Sequence, residues 1–292
     1  MELQGRLKEL RDNGLGLAAI GYDSPEILAA FGREHRITFP LLSDAGSATI
    51  RRYGILNTLV EEALGPHAGD PAIAADVQKY VSGSPKAEMR GMAFPGTFIV
   101  DQNDRVKSRF FEEYFRERNT VSNLLIKLGA GAGSVAGTQI STEHLDIRTY
   151  PTEGAVAFGN RFAIVLDITL RPGMHVYAPG ASGYKVIAFT VAPPPFVKVF
   201  PGRYPASQIY FFKPLNERVP VYQKPFTLTH EVLLQGDLDA QAAWRGKDTL
   251  TLTGTLDYQA CDDNVCFNPA SVPLSWTVTL RPLITQRPTR PQ

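Results

Sequence analysis

The sequence predicts two domains, an α/β domain followed by an all-β sandwich. Helical patterns alternate with short apolar runs as far as Leu128, and this alternation is typical of parallel strands covered by helices. Residues 129–139 consist largely of glycine and alanine, which is the composition of a linker. Strand-like runs without a helical pattern occupy residues 140–283, and we expect residues 284–292 to be a disordered tail.

Composition excludes several classes of protein. With 292 residues, 43% hydrophobic and 20% charged, the chain has the content of an ordinary core-forming protein. Its net charge of +1 provides no cationic excess for nucleic acid or an anionic membrane. No apolar run approaches the ~20 residues that a membrane-spanning helix needs, and no signal peptide pattern opens the chain. We therefore expect no nucleic-acid partner, and any membrane partner to be a separate molecule.

Apolar spacing and capping residues predict the elements of the first domain. Leucines at helical spacing predict a helix that ends at Asn13, and residues 16–21 predict a short strand buried on both faces. Ser24 followed by Pro25 predicts the start of the next helix, because serine caps a helix and proline fits its first turn. The remaining predicted elements are a strand at 39–44, a short helix through 50–53, a helix within 72–80, strands at 97–101 and 105–111, and a helix after Thr120.

Seven runs, separated by Pro and Gly turns, predict the strands of the second domain. They are residues 144–149, 162–170, 186–191, 209–212, 226–234, 250–258 and 272–280. Many of the runs alternate between apolar and polar residues, as half-buried strands do. Seven such runs with no convincing helix favour a β-sandwich.

The chain contains only two cysteines, Cys261 and Cys266, and they flank a predicted turn. Four intervening residues are enough for a hairpin to bring the two Cβ atoms within about 3.5–4.5 Å. A ring of about six residues gains only roughly 2 kcal/mol of loop-closure stabilisation, against nearly 5 kcal/mol for about a hundred residues. Two thiolates without further ligands at suitable spacing leave half of a zinc shell empty. Redox activity is therefore favoured, with a structural disulfide and a metal site as alternatives, and we expect neither metal nor organic cofactor.

The neighbours of the pair favour one direction of electron flow. Asp262 and Asp263 place negative charge beside the thiols, which disfavours the thiolate form. Less stabilisation of the reduced form makes the disulfide less oxidising. The pair therefore fits an electron donor better than a protein that installs disulfides. We interpret the five scattered histidines, including His175, as packing or surface residues.

Three segments of the first domain carry a family resemblance: residues 15–24 (LGLAAIGYDS), 37–44 (ITFPLLSD) and 95–101 (PGTFIVD). The domain resembles the redoxin branch of the thioredoxin-like superfamily, which contains peroxiredoxin-like and thioredoxin-like reductases. The resemblance implies a reactive cysteine just before the segment that opens this chain, and residues 1–128 contain no cysteine. We expect an incomplete thioredoxin-like fold whose first strand and active-site loop are missing, from either a misassigned start or a degenerate binding domain.

A second resemblance covers about residues 140–283. Its carriers are residues 173–179 (GMHVYAP), 258–261 (YQAC), 265–266 (VC) and 271–276 (SVPLSW). This half resembles the N-terminal periplasmic domain of the DsbD family of thiol:disulfide interchange proteins. The resemblance implies an immunoglobulin-like sandwich, a periplasmic or otherwise extracytoplasmic location, and a thioredoxin-like or membrane electron-transfer protein as partner. It also implies that Cys261 and Cys266 exchange electrons, and we assign Cys266 to attack and Cys261 to resolve.

In that family a flexible cap loop shields the cysteine pair until a partner docks. Residues 216–222 lie in the comparable place, but the usual aromatic residue at the tip is absent. Val219 or Pro220 would have to shield the pair, with Tyr222 at the end of the segment. Tyr177 and Tyr258 are expected to line the site, although a strand tyrosine is more often simply packed.

Two other functions compete with disulfide exchange. The chain could be a noncatalytic interaction module in which Cys261 and Cys266 form a static disulfide and the first domain binds a partner. A peroxidase is a third possibility, and it would have to remain active after both cysteines were replaced, because the first domain has no thiol.

Overall fold

The computed structural model describes residues 2–80, 84–111, 117–129, 136–212 and 216–282. The chain divides into two compact units. The first extends to Val121 and includes Gly236–Gln241, and the second consists of Ser122–Gln235 and Ala242–Pro282. The first unit is mixed α/β and the second is a β-sandwich, so the predicted fold class is confirmed. Residues 130–135 of the predicted linker and the predicted tail at 284–292 lie outside the described residues.

The first part of the chain alternates between helices and short strands. Its elements are α1 Glu2–Gly5, α2 Leu7–Asp12, β1 Ala19–Gly21, α3 Pro25–Glu34, β2 Leu41–Ser43, α4 Ala48–Arg52, α5 Thr58–Ala63, α6 Pro71–Tyr80, a 3₁₀ turn Ala87–Met89, β3 Gly96–Val100, β4 Val106–Phe111, β5 Arg118–Asn119 and α7 Val121–Lys127. The predicted start of α3 is confirmed, because Ser24 is its N-cap and its hydroxyl accepts a 3.5 Å hydrogen bond from the Ile27 amide.

Strand pairing in the first unit is only partly parallel. β1 and β2 are parallel, with Ala19 opposite Leu41. β3 and β4 instead form an antiparallel hairpin, because the Asp101 carboxylate accepts hydrogen bonds from the Asn103 and Arg105 amides and reverses the chain. The expectation that residues 16–21 are buried on both faces is wrong. Among the described residues β1 pairs only with β2, and Ile20 is 51% exposed.

The rest of the chain is mainly β-structure. Its elements are β6 Thr138–Ser141, β7 Leu145–Pro151, β8 Ala155–Val156, β9 Asn160–Leu170, β10 His175–Tyr177, β11 Ala188–Ala192, β12 Val197–Val199, β13 Gln208–Phe212, β14 Glu217–Tyr222, β15 Phe226–Leu234, α8 Leu238–Ala243, β16 Thr249–Tyr258, β17 Ala260–Cys261 and β18 Ala270–Leu280. All seven predicted strands are present. The short helix α8 corrects the expectation that no helix follows the linker.

Among the described residues, three sheets build the second unit. One has the strand order β12-β15-β9-β7-β6, a second has β11-β16-β18-β8, and a third, the site sheet, has β13-β14-β10-β17. The first two sheets share one hydrophobic core, in which Leu166 and Leu228 of the first lie in the same cluster as Leu252 and Trp276 of the second. Buried and exposed residues alternate along β18, as they must where one face of a strand meets a core and the other meets water.

The centre of this core gives a stability prediction. Leu166 is fully buried in β9, so Leu166→Ala leaves a cavity and is expected to lower the free energy of unfolding by about 2–5 kcal/mol. Thr253→Ala is the control, because Thr253 lies exposed on β16 and such changes stay within about 0.5 kcal/mol. Urea denaturation measures both. Equal midpoints for the two variants would contradict this description of the core.

Candidate functional site

Cys261 and Cys266 close a hairpin that begins at β17. The two residues form an antiparallel bridge with their Cα atoms 4.1 Å apart, and their sulfurs are joined in a disulfide. Asp262 organises the turn between them. Its carboxylate accepts hydrogen bonds from the amides of Asn264 (2.7 Å) and Val265 (2.6 Å), and its own amide donates to the Val265 carbonyl (2.9 Å). The turn predicted between the cysteines is therefore confirmed.

The site sheet brings β10 beside the disulfide. β10 lies between β14 and β17, with His175 opposite Cys261 and Tyr177 opposite Val221. Tyr177, Val219, Val221 and Cys261 form a small buried cluster of their own, separate from the main core. The cysteine pair thus lies at one end of a sheet, beside a local apolar cluster.

The Tyr177 hydroxyl contacts both sulfurs. It lies 3.2 Å from Cys261 Sγ and 3.4 Å from Cys266 Sγ. Disulfide sulfurs carry no hydrogen, so Tyr177 is the donor. Burial raises the pKa of Tyr177, and the neighbouring Tyr184 raises it further. The hydroxyl therefore keeps its proton. This hydroxyl can donate a hydrogen bond to either sulfur when the S–S bond opens.

Two further side chains hold Tyr177 in place. Its ring stacks on Tyr184 with the centroids 4.0 Å apart. The Tyr184 hydroxyl donates a 2.6 Å hydrogen bond to Glu217 Oε2 of β14, and this bond raises the pKa of Tyr184. Tyr177 therefore packs against a ring that a hydrogen bond to Glu217 holds in place, with its own hydroxyl directed at the disulfide.

The two cysteines differ in exposure. Cys261 is only 1% exposed, whereas Cys266 is an exposed residue on the outer arm of the hairpin. Thiol–disulfide exchange requires the incoming sulfur to reach the one that it attacks. The side of the pair that is open to another molecule is the Cys266 side.

The turn carries the negative charge that the sequence suggests. Hydrogen bonds from the Asn264 and Val265 amides lower the pKa of Asp262, which keeps this carboxylate ionised. Asp263 accepts a 2.6 Å hydrogen bond from the Tyr210 hydroxyl, and this bond raises the pKa of Tyr210 to about 12. Both carboxylates are thus engaged with named donors and remain beside the cysteines.

The segment that the sequence predicts to be a flexible cap loop is mostly a strand. Residues 217–222 form β14, which lies inside the site sheet between β13 and β10. Val219 is 7% exposed and belongs to the cluster that contains Cys261. Pro220 is half-buried, and its carbonyl accepts a hydrogen bond from the Ala178 amide. The loop comparison is corrected because this segment is hydrogen-bonded on both sides, while residues 213–215 before it lie outside the described residues.

The other two tyrosines named from the sequence lie in the main core. Tyr258 is 1% exposed and donates a hydrogen bond to Thr142 Oγ1. Tyr222 is 4% exposed and donates to the Pro205 carbonyl. The structure therefore brings Tyr177 and Val219 to the cysteine pair, and places Tyr222 and Tyr258 in the packing behind it.

Sequence reasoning missed four residues of the site: His175, Tyr184, Tyr210 and Glu217. The sequence predicts His175 to be a packing or surface residue, and it is indeed packed, but the sequence does not place it opposite Cys261, where it lies buried. Its position two residues before Tyr177 is the signal that could have found it, because alternate strand residues share a face. Tyr184, Tyr210 and Glu217 come from distant parts of the sequence, and no local pattern links them to the cysteines.

The described part of the chain shows neither a metal-binding cluster nor a membrane-spanning helix. No group of three His, Cys, Asp or Glu side chains there is arranged to hold a metal ion. None of the helices in that part combines the length and the apolar character needed to cross a membrane.

Comparison with known families agrees with both resemblances. Residues 1–109 match the AhpC/TSA family, and residues 149–273 match the family described as thiol:disulfide interchange protein DsbD, N-terminal. The chain thus combines a redoxin region with a DsbD N-terminal-like region, and both resemblances are confirmed. Together with the cysteine pair, the two regions support thiol–disulfide exchange in general terms. No curated protein matches the sequence.

Solved structures give distant matches. The N-terminal periplasmic domain of ScsB from Proteus mirabilis matches with 18% identity and a TM-score of 0.35, over 48% of this chain and 51% of that one. This chain therefore spans about half the length of the ScsB domain that it matches. The GAE domain of GGA2p from Saccharomyces cerevisiae matches with 8% identity and a TM-score of 0.28, over 48% of this chain and 96% of that one. The yeast GGA1 GAE domain–P21 structure matches with 13% identity and a TM-score of 0.25, over 49% and 95% of the two chains.

Proposed function

We propose that this protein is a thiol:disulfide oxidoreductase that passes electrons between a thioredoxin-like protein and a second disulfide through Cys261 and Cys266. The observation that carries the proposal is the asymmetric disulfide, with Cys266 exposed, Cys261 buried and the Tyr177 hydroxyl within 3.4 Å of both sulfurs. A disulfide that only stapled the hairpin would need neither an open side nor a donor directed at its sulfurs.

The proposed reaction starts with the oxidised pair. A thiolate of the reduced partner attacks Cys266 Sγ, the Cys261–Cys266 bond breaks, and its electron pair leaves on Cys261 Sγ. The second thiolate of the partner then attacks the mixed disulfide and releases Cys266 as a thiolate. The partner leaves oxidised, and this protein leaves with two reduced cysteines. Protons from water convert thiolates to thiols as the pH dictates.

Transfer to the client reverses these roles. The Cys266 thiolate attacks the client disulfide, and one client sulfur leaves as a thiolate. The Cys261 thiolate then attacks Cys266 Sγ, which releases the second client sulfur and closes the original disulfide. Attack by Cys266 and resolution by Cys261 follow from their difference in exposure. Asp262 and Asp263 disfavour the thiolates, which favours passing electrons onward over retaining them.

We also propose an extracytoplasmic location. The DsbD N-terminal-like region supports it, as does the closed disulfide, because disulfides persist mainly in oxidising compartments. In this proposal the upstream partner is a thioredoxin-like protein or the thioredoxin-like part of a membrane electron-transfer protein. Residues 1–109 contain no cysteine, so the redoxin region serves as a binding module.

A redox titration separates exchange from a static disulfide. The full-length protein is equilibrated with dithiothreitol or glutathione buffers, and its free thiols are counted after acid quenching and alkylation. We expect half-reduction at a potential above about −300 mV, because structural disulfides of secreted proteins lie below that value. A pair that stays oxidised well below about −300 mV would favour the noncatalytic interaction module instead.

A further inference from the structure

His175 is the residue of the site with the least obvious role. It lies directly opposite Cys261 in the antiparallel pairing of β10 with β17. Residues opposite each other in such a pair point to the same face, with Cβ atoms about 4.5–5.5 Å apart. His175 is 2% exposed and Cys261 is 1% exposed, so the imidazole and the inner sulfur share one buried environment.

The groups around His175 come from β13, from β10 itself and from the turn that follows β17. The Tyr210 ring of β13 lies 4.6 Å from the imidazole, and the Tyr177 ring of β10 lies 5.6 Å away, measured between centroids. Asp263 and Asp262 of the turn act on it electrostatically. Among the described residues, these two carboxylates are the charged groups that act on the pKa of His175, and Tyr210 and Tyr177 are the titratable side chains whose rings lie beside it.

Glu217 of β14 is the next charge outward. It accepts a hydrogen bond from the Tyr184 hydroxyl, and Tyr184 in turn stacks on Tyr177. Glu217 is therefore connected to the sulfurs only indirectly, through these two tyrosines. When the disulfide is closed, burial lowers the pKa of His175, and the attraction of Asp263 and Asp262 opposes this shift without cancelling it. His175 is therefore neutral at pH 7 beside an uncharged disulfide.

Opening the disulfide changes the charge beside His175. Attack on Cys266 Sγ leaves the electron pair of the broken bond on Cys261 Sγ, which is buried and would be a thiolate. A buried negative charge is costly without a compensating positive charge. The nearest fixed charges, Asp262 and Asp263, are negative and make the thiolate still less favourable. His175 lies on the adjacent strand and can supply the missing positive charge by binding a proton from water.

We propose that His175 is a positioning residue that binds a proton when the Cys261–Cys266 disulfide is reduced, and thereby stabilises the Cys261 thiolate as the leaving and resolving group. The inference rests on the exchange reaction proposed above. For each thiolate formed on Cys261, the imidazole takes one proton from water. By reciprocity, a protonated His175 makes Cys261 more reactive.

NMR titration of the histidines in the wild-type protein tests this inference without a mutation that could unfold it. The Cε1–Hε1 signals of the five histidines are followed from pH 4.5 to 8.5 in the oxidised form and in the form reduced with dithiothreitol. We expect the midpoint of His175 to rise by about one pH unit on reduction. His230 is an internal control, because its two ring nitrogens contact the Phe200 and Phe189 carbonyls and not the cysteine pair, and its signals should be the same in both redox forms. A His175 midpoint that is the same in both forms would overturn the inference.

Alkylation of the reduced protein gives a second readout. His175→Gln is expected to slow the reaction of Cys261 with iodoacetamide about threefold to tenfold at pH 6. The same variant lacks one histidine signal, and this loss assigns the NMR signal of His175. The difference should vanish above pH 8, where wild-type His175 is neutral as well. A slowing that is equal at all pH values would indicate a purely structural role and contradict the inference.

Failure of the proton coupling at His175 can be distinguished from failure of the exchange reaction. If the histidine midpoint responds to reduction but no partner is captured by a cysteine variant, the proposed function fails and the proton coupling stands. If partners are captured while His175 titrates identically in both forms, the coupling fails and the exchange reaction stands.

Discussion

Cys261→Ser is expected to capture a thioredoxin-like partner in a mixed disulfide through Cys266. The variant retains the exposed sulfur and lacks the buried one that would release the partner. When the partner's own second cysteine is replaced as well, neither protein can resolve the mixed disulfide, so the intermolecular bond persists. The partner is a thioredoxin-like protein with a single cysteine, activated as a mixed disulfide with thionitrobenzoate, which leaves when Cys266 attacks. Non-reducing electrophoresis should then show a covalent adduct that dithiothreitol removes. Turnover in a coupled disulfide-reduction assay should fall to the level without protein, because both sulfurs are needed for each cycle.

Cys266→Ser is the matched control. Its remaining sulfur is that of Cys261, which is 1% exposed and packed with Tyr177, Val219 and Val221. We expect at least tenfold less adduct than with Cys261→Ser, although both variants lose the disulfide alike. Equal capture by the two variants would contradict the assignment of Cys266 as the attacking residue. Capture by neither would contradict exchange itself.

Tyr177→Phe is expected to slow exchange by about tenfold to a hundredfold. The change removes the hydroxyl that lies 3.2 Å and 3.4 Å from the two sulfurs and keeps the ring that stacks on Tyr184. A hydrogen bond to a charged group contributes about 1.5–3 kcal/mol, and each 1.36 kcal/mol of barrier is about tenfold in rate. The raised pKa of Tyr177 means that its hydroxyl donates to the departing thiolate throughout the working pH range. Stopped-flow reduction by a thioredoxin-like protein measures the effect.

Tyr222→Phe provides the control for the loss of a buried hydroxyl. Tyr222 donates to the Pro205 carbonyl and belongs to the main core, so the variant loses one hydrogen bond without touching the sulfurs. Its exchange rate should stay within about twofold of the wild type, with a stability loss of about 1 kcal/mol. If Tyr177→Phe exchanged as fast as Tyr222→Phe, the hydroxyl would have no part in the reaction.

The fold was most predictable where apolar and polar residues alternate over a long run. The run at 226–234 coincides with β15, because the alternation of its residues 226–232 leaves little ambiguity. β10 has three residues and is too short for a period to be recognised. β14 contains Pro220, which normally argues against an inner strand. Here β10 pairs with β14 only through Val176 and Tyr177, so Pro220 lies just past the end of that ladder, where its missing amide hydrogen is not needed.

Site residues that lie in a recognisable sequence motif were predictable, whereas contacts between residues far apart in sequence were not. Two cysteines around a turn are visible in the sequence, and so is Tyr177, because it lies in a motif that resembles a family. Tyr210 reaches Asp263 from 53 residues away in sequence. Such contacts depend on which strands become neighbours in the site sheet, and composition and spacing carry no information about that order.

The carboxylate of Asp262 has a consequence for how the protein stores electrons. Its two bonds from backbone amides, and the amide-to-carbonyl bond from Asp262 to Val265, involve no sulfur atom. Severing the covalent link therefore leaves the hairpin tethered, and the separated thiols stay at high effective molarity toward each other. Oxidation and reduction of the two cysteines can then proceed with little rearrangement of the backbone.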